Sequence, residues 1–484
     1  MALSFITTRL LLQSLGVDNF GLAEVIAGVV TMLSFLSGTL STASSRFFTF
    51  ELGRKNFTGL KDLFSQTILI YALISVLILV FVETLGFWIF SNKIVIPISR
   101  YEAALFFYHT SAISFIINIF IIPFNALVIA HENMKTFAWI AVGESILKCL
   151  GAYSISLLNF DVLKLYGLLL LALGMIKLIA YLGYCLKNYP ESKISFRFQQ
   201  TRFKELLSFS GWNLIGAISP IINGGILNII LNNFFGLAVN AARSVANQVS
   251  HGIGGFTTNF LMAVNPQITK YYAQDNLERM HALIRNAIRI GLLLMLWISI
   301  PIFAEMDFIL SIWLNKVPEY ASIFARLALV IGLLETFYPP LATGIQATGK
   351  VALYQGVLGT WYCMGAPIAL LFFVLGNGAE YTFVALGIVS FGGIFIRLFF
   401  LRLYTKFSIK SLCLELKNVI LFILPASCCV PIIITLFMNR GWLRFGLSTI
   451  LCLSVSALLI YAVGLHKSER DMIREKISKV LKRQ

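Results

Sequence analysis

Apolar windows of about twenty residues, the length that crosses a hydrocarbon core as helix, recur along the whole chain. They predict spans at 1–15, 22–42, 65–90, 103–129, 137–158, 163–185, 208–231, 238–264, 285–304, 322–345, 352–375, 381–401, 418–438 and 445–465. The pattern is that of an all-α integral membrane protein with about 14 transmembrane helices. The first window is short: as helix it covers roughly 22 Å of a core about 30 Å thick. It is expected either to stop short of the inner face or to continue a segment upstream of Met1. No loop between spans is long enough to hold a soluble catalytic domain, so an enzyme is not expected.

One span breaks the oily pattern. Between Ala238 and Val264, the residues Asn240, Arg243, Ser244, Asn247, Ser250, His251, Gly254, Thr257 and Thr258 recur at three- and four-residue spacings and form one polar stripe. A charge inside hydrocarbon costs several kcal/mol unless it faces protein or water. This stripe is therefore expected to line a wet cavity, the alternative being a buried packing helix with satisfied polar groups.

Composition supports the membrane reading. Only 12% of the 484 residues are charged, against about 25% in soluble proteins. The formal net charge of +16 gains meaning once it is mapped. With both termini inside, cytoplasmic segments hold 27 of the 38 Lys and Arg residues and the opposite loops hold six. That bias sets the orientation and gives an inner surface attractive to anionic membrane lipids. The 27 include Arg289 and Arg397, and the six include Arg444. The tail from Lys467 to Gln484 places Met472, Ile473, Ile477, Val480 and Leu481 on one side, as expected of an amphipathic helix on the inner leaflet. Nucleic acid is not an expected partner, since no basic soluble module is present. The seven cysteines lie in or beside apolar spans without metal-type spacing and read as small core hydrophobes.

Five cations fall inside spans: Arg9, Lys148, Lys177, Arg243 and Arg326. Glu144 and Lys148 are four apart on one helix face and can pair. Glu24 is a candidate partner for Arg9, and Arg326 is close enough to an interface to snorkel. Arg243 has no carboxylate within eight residues. Cations gathered in a wet cavity suit a phosphate or pyrophosphate. The cavity candidates are Arg243, Asn247, Asn240, His251, Lys148 and Arg9. Glu144 and Glu335 are the candidates for coupling to a proton or sodium ion.

Other motifs are set aside. Gly344 to Lys350 has the spacing of a phosphate-binding glycine loop, but Val351 replaces the magnesium-binding hydroxyl and the segment ends a spanning helix. His131-Glu132 lacks a second histidine for a metal pair. No cofactor or resident metal is expected.

Two short stretches repeat. Phe20-Gly21-Leu22-Ala23 recurs as Phe235-Gly236-Leu237-Ala238, and Pro123 before Ala130 recurs as Pro340 before Ala347, at offsets of 215 and 217. Six spans separate the copies, which predicts parallel repeats about an axis along the membrane normal. The expected organisation is a six-helix bundle over 1–205, a second over 206–410, two additional helices over 411–466 and the basic tail 467–484.

Leu15-Gly16 through Phe20-Gly21-Leu22, Arg46-Phe47 with Glu51-Leu52-Gly53, Asn133-Met134-Lys135, Val239-Asn240-Ala241-Ala242-Arg243 and Asn265-Pro266-Gln267-Ile268-Thr269-Lys270 resemble bacterial polysaccharide flippases. These are the Wzx-type O-antigen translocases of the multidrug/oligosaccharidyl-lipid/polysaccharide exporter superfamily. The resemblance covers residues 1 to about 410. It implies two six-helix bundles around a central cavity, in the bacterial inner membrane. It also implies alternating-access export of undecaprenyl-pyrophosphate-linked glycan units, alongside glycosyltransferases and a polysaccharide polymerase. A multidrug or other lipid-linked-precursor exporter of the same fold is the alternative.

Overall fold

In the computed structural model, the described residues are 34–93, 96–155, 157–158, 160–193, 200–314, 317–467, 469–471 and 474–475, with nine isolated positions between Thr7 and Ile26. Every regular element among them is a helix. Ten helical stretches are long and apolar enough to cross a membrane, making this a multi-pass membrane protein. They correspond to ten of the expected spans. Expected spans 137–158 and 238–264 are also helical, but carry too many polar groups to count among the ten. Most of expected span 1–15 and of the start of 22–42, together with Arg9, Glu24 and most of the tail, lies outside the described residues.

The chain divides into two compact units, 1–214 and 215–484. The first contains α1 (Ser34–Gly53), α2 (Phe57–Phe81), which runs through a π turn into α3 (Phe87–Lys93), α4 (Tyr101–Ala130), α5 (Met134–Ile155), α6 (Val162–Asn188) and the start of α7 (Gln200–Phe235). Side-chain caps set the helix starts. Asn56 accepts from the Gly59 amide at 3.0 Å, and Asp161 accepts from the Leu163 and Lys164 amides while pairing with Arg100 at 2.7 Å. Helix α4 is the most enclosed, packed by α6, α1 and α2. Its buried face includes Phe107, Tyr108 and Ile119.

The second unit holds the rest of α7, then α8 (Leu237–Ala273), α9 (Leu277–Ala304), the short α10 (Met306–Trp313), α11 (Ala321–Glu335), α12 (Tyr338–Ala347), α13 (Ala352–Cys363), α14 (Gly365–Val374), α15 (Tyr381–Thr405), α16 (Ile409–Asn418), α17 (Leu424–Phe437) and α18 (Trp442–Leu459). Gly236, at φ +84°, makes the turn between α7 and α8 in a conformation that favours glycine. Helix α8 packs on α9, α11 and α12.

Two spans of this unit are discontinuous. Between α11 and α12, Pro339 and Pro340 supply no N–H for the carbonyls of Glu335 and Thr336 four residues earlier. Between α13 and α14, Asn223 of α7 accepts from the Ala366 amide at 2.7 Å and caps the second half-helix. A Cβ on Gly365 would meet the Asn223 amide at 2.7 Å, so the absence of a side chain there is what admits the cap. The glycine-rich run from Gly344 is a helix end, with Gly349 at φ +77° past the last turn of α12, and not a strand-to-helix phosphate loop.

Ion pairs and hydrogen bonds fasten α18 and the residues after it to the rest of this unit. Arg444 pairs with Glu305 at 2.8 Å with both side chains buried, and Trp297 donates to the Leu453 carbonyl at 2.9 Å. At the other end Arg289 donates to the Gly464 carbonyl at 2.7 Å and pairs with Glu469 at 2.5 Å. Arg444 and Arg289 thus belong to helix packing, not to the surface segments the charge map gave them.

Candidate functional site

The polar stripe of α8 is one surface in sequence but two environments in structure. Its first part faces α7. Arg243 is 6% exposed and donates to the Gly224 carbonyl at 3.1 Å and to Asn228 Oδ1. Asn240 donates to the Asn228 carbonyl at 2.9 Å. Gly224 and Asn228 are four apart on α7 and present both acceptors together. Arg243 makes no carboxylate pair among the described residues. Its Nε and the Asn240 Oδ1 are both buried without a hydrogen-bond partner. Among the described residues the guanidinium is held by neutral groups, which orient it without supplying a counter-charge.

The second part of the stripe lines a cavity of about 250 Å³ within the same unit, bounded by Ser250, His251, Gly254, Thr258, Asn259, Met295, Glu335, Thr336 and Pro339. Glu335 enters it from the last turn of α11, where the two freed carbonyls also sit, and makes no ion pair among the described residues. A carboxylate, hydroxyls, an amide and half-helix carbonyls are oxygen donors suited to a proton or an alkali cation. Among the described residues no group of three His, Cys, Asp or Glu is placed to hold a metal ion. Asn247 is half-buried between the two environments.

In the first unit the expected pairing is replaced. Glu144 pairs across α5 and α6 with Lys177 at 2.9 Å, not along its helix with Lys148. A partner on a facing helix competes with an i,i+4 neighbour and prevails here, leaving Lys148 with no ion pair among the described residues. Arg326, expected near an interface, pairs with Asp307 at 3.3 Å and donates to the Phe303 carbonyl at 3.1 Å.

Arg397 was not anticipated. Placed by the charge map in a surface segment, it is 6% exposed inside α15, its guanidinium 3.9 Å from the Tyr338 ring centroid and 2.9 Å from the Tyr362 hydroxyl. Aromatic faces stabilise the cation, and the Glu335 carboxylate lies near enough to attract it. The signal was present: Ile394, Arg397, Leu398 and Leu401 share the three- and four-residue spacing of one buried face.

Comparison with known structures identifies the fold. The fold is that of the MATE transporters. A mutant MATE structure superposes with a TM-score of 0.71 at 15% identity, covering 85% of this chain and 93% of that one. An outward-facing multidrug resistance MATE transporter of the MOP superfamily gives 0.69 at 14% identity, covering 84% and 93%. A MOP superfamily transporter from Pyrococcus furiosus gives 0.67 at 16% identity, covering 84% and 93%. Residues 222–371, which contain both parts of the stripe, match the MatE family model. Among curated proteins, none has a sequence that matches this chain significantly.

Proposed function

We propose that this chain is a transporter of the MOP superfamily that flips undecaprenyl-pyrophosphate-linked oligosaccharide units across the bacterial inner membrane by alternating access, for O-antigen or another surface polysaccharide. The observation that carries this reading is Arg243, a buried cation on a polar spanning helix whose partners are all neutral. An anionic head group supplies the missing counter-charge, with Lys148 and Arg9 as further cations and Asn240, Asn247 and His251 as hydrogen-bonding groups for phosphate or sugar. The bundles 1–205 and 206–410 rock about the site, with both termini cytoplasmic. Glu335 couples the cycle to a proton or sodium ion, with Glu144 the second candidate. Glycosyltransferases supply the lipid-linked glycan, and a polymerase consumes it.

A multidrug exporter of this fold is the competing reading, and the solved multidrug transporter shows how broadly the fold is used. Cationic drugs call for a carboxylate in the substrate path. Among the described residues Arg243 and Lys148 are cations without an acidic partner, whereas Glu335, the carboxylate of the polar cavity, is assigned here to ion coupling. For the Pyrococcus furiosus protein, reversed polarity of the binding pocket was taken to suggest a different function. The same reasoning favours an anionic substrate for this chain. The test is flipping of a fluorescent lipid-linked oligosaccharide in proteoliposomes. Wild type is expected to flip it and Arg243→Ala to lose most of the rate; full flipping by Arg243→Ala, or export of cationic drugs alone, overturns the assignment.

A further inference from the structure

A second cavity, of about 460 Å³, opens between α9, α11 and α17, with walls that include Leu296, Val330, Leu333, Leu424, Cys428 and Pro431. Along α17 it runs from Leu424 to Thr435, roughly 16 Å at 1.5 Å per residue. That is close to one leaflet, half of a hydrocarbon core about 30 Å thick. Its mouth is at Arg326, which lines the cavity and shares the single carboxylate of Asp307 with Arg440, at 3.3 and 2.8 Å. Two guanidiniums on one carboxylate leave the mouth with net positive charge.

We propose that this groove is a binding site for one anionic phospholipid. Its phosphate sits on Arg326 and Arg440, and one acyl chain lies against α17. The order from rim to floor, cation and then hydrocarbon, follows the order of phosphate and chain in such a lipid. An isoprenoid chain long enough for a glycan carrier overruns a groove of one leaflet's depth, and free phosphate leaves the apolar walls uncovered. The site is independent of the proposed transport substrate, since it uses none of the groups assigned to it.

The test is native mass spectrometry of the full chain in detergent with equimolar phosphatidylglycerol and phosphatidylcholine carrying identical acyl chains. Wild type is expected to retain phosphatidylglycerol with a several-fold preference. Replacing both Arg326 and Arg440 by Ala should abolish the preference. Cys428→Phe, which fills the groove without touching an ion pair, should reduce retention of both lipids. Equal retention by wild type, or phosphatidylglycerol retention undiminished by Cys428→Phe, overturns the proposal. So does displacement of phosphatidylglycerol by undecaprenyl phosphate in wild type but not in Cys428→Phe, because the groove would then be an isoprenoid site.

Discussion

Glu144 on α5 and Lys177 on α6 meet at 2.9 Å, and this pairing sets the roles of the other charges nearby. Lys177 holds two helices together, whereas Lys148, one turn along from Glu144, has no ion pair among the described residues. The pair is partly exposed, so Lys177→Met is expected to cost no more than about 1 kcal/mol and to lower the melting temperature slightly. Lys148→Met should leave the melting temperature unchanged and slow the flipping of a lipid-linked glycan. Thermal unfolding in detergent read beside a flipping assay separates the two.

Arg243 is expected to resist conservative replacement. Its guanidinium reaches the Gly224 carbonyl and Asn228 at once, which an ammonium on a shorter head cannot reproduce. Arg243→Lys keeps the charge but should lose most of the transport rate. Asn228→Ala should reproduce part of that loss by releasing the guanidinium. Initial flipping rates of the two variants check the claim.

Glu335→Gln preserves the shape of the cavity below the α11–α12 break and removes its only carboxylate. Under the coupling role proposed for Glu335, flipping by this variant becomes insensitive to an imposed proton or sodium gradient while binding of the glycan lipid persists. A gradient dependence equal to wild type rules Glu335 out.

The Glu305–Arg444 pair is buried on both sides, so removing one partner strands a charge. Arg444→Met alone is expected to cost about 3–5 kcal/mol. Adding Glu305→Met should recover most of the loss, because a well-packed apolar pair avoids desolvating two ions. Melting temperatures of the two single variants and the double variant close the cycle.

Asp307 supplies a pH prediction. Burial alone would raise its carboxyl, but the Ser322 hydroxyl and the guanidiniums of Arg326 and Arg440 outweigh this and hold it below the ordinary carboxylate range. A depressed pKa means the contact contributes stability at neutral pH and loses it as pH falls through the folded value, below about 3.9. The difference in melting temperature between wild type and Asp307→Asn should therefore persist through mild acid and shrink only beneath that value.

Much of the fold was legible because membrane crossing imposes one rule, a run of apolar residues, on every span. The two windows that failed the hydropathy test as helices, α5 and α8, are the ones whose polar groups had already marked them. Partners were harder to read. Nothing local tells Glu144 to choose Lys177 over Lys148, because that choice depends on which helix faces α5. Arg397 was missed because a basic residue near a span end looks the same whether it reaches water or turns onto tyrosine rings. Asn223 and Asn228 were passed over on α7 because an amide's role depends on the neighbour it caps or orients.

The attachments of α18 run the length of α9: Glu305 to Arg444 at one end, Trp297 to Leu453 midway, and Arg289 to Gly464 at the other. Three fixed points make the two helices one stiff strut, and a strut cannot bend in the middle. Whatever tilts α9 must carry the C-terminal helix with it, so a fluorophore attached just after Gly464 would report each swing of that helix without being placed near the substrate path.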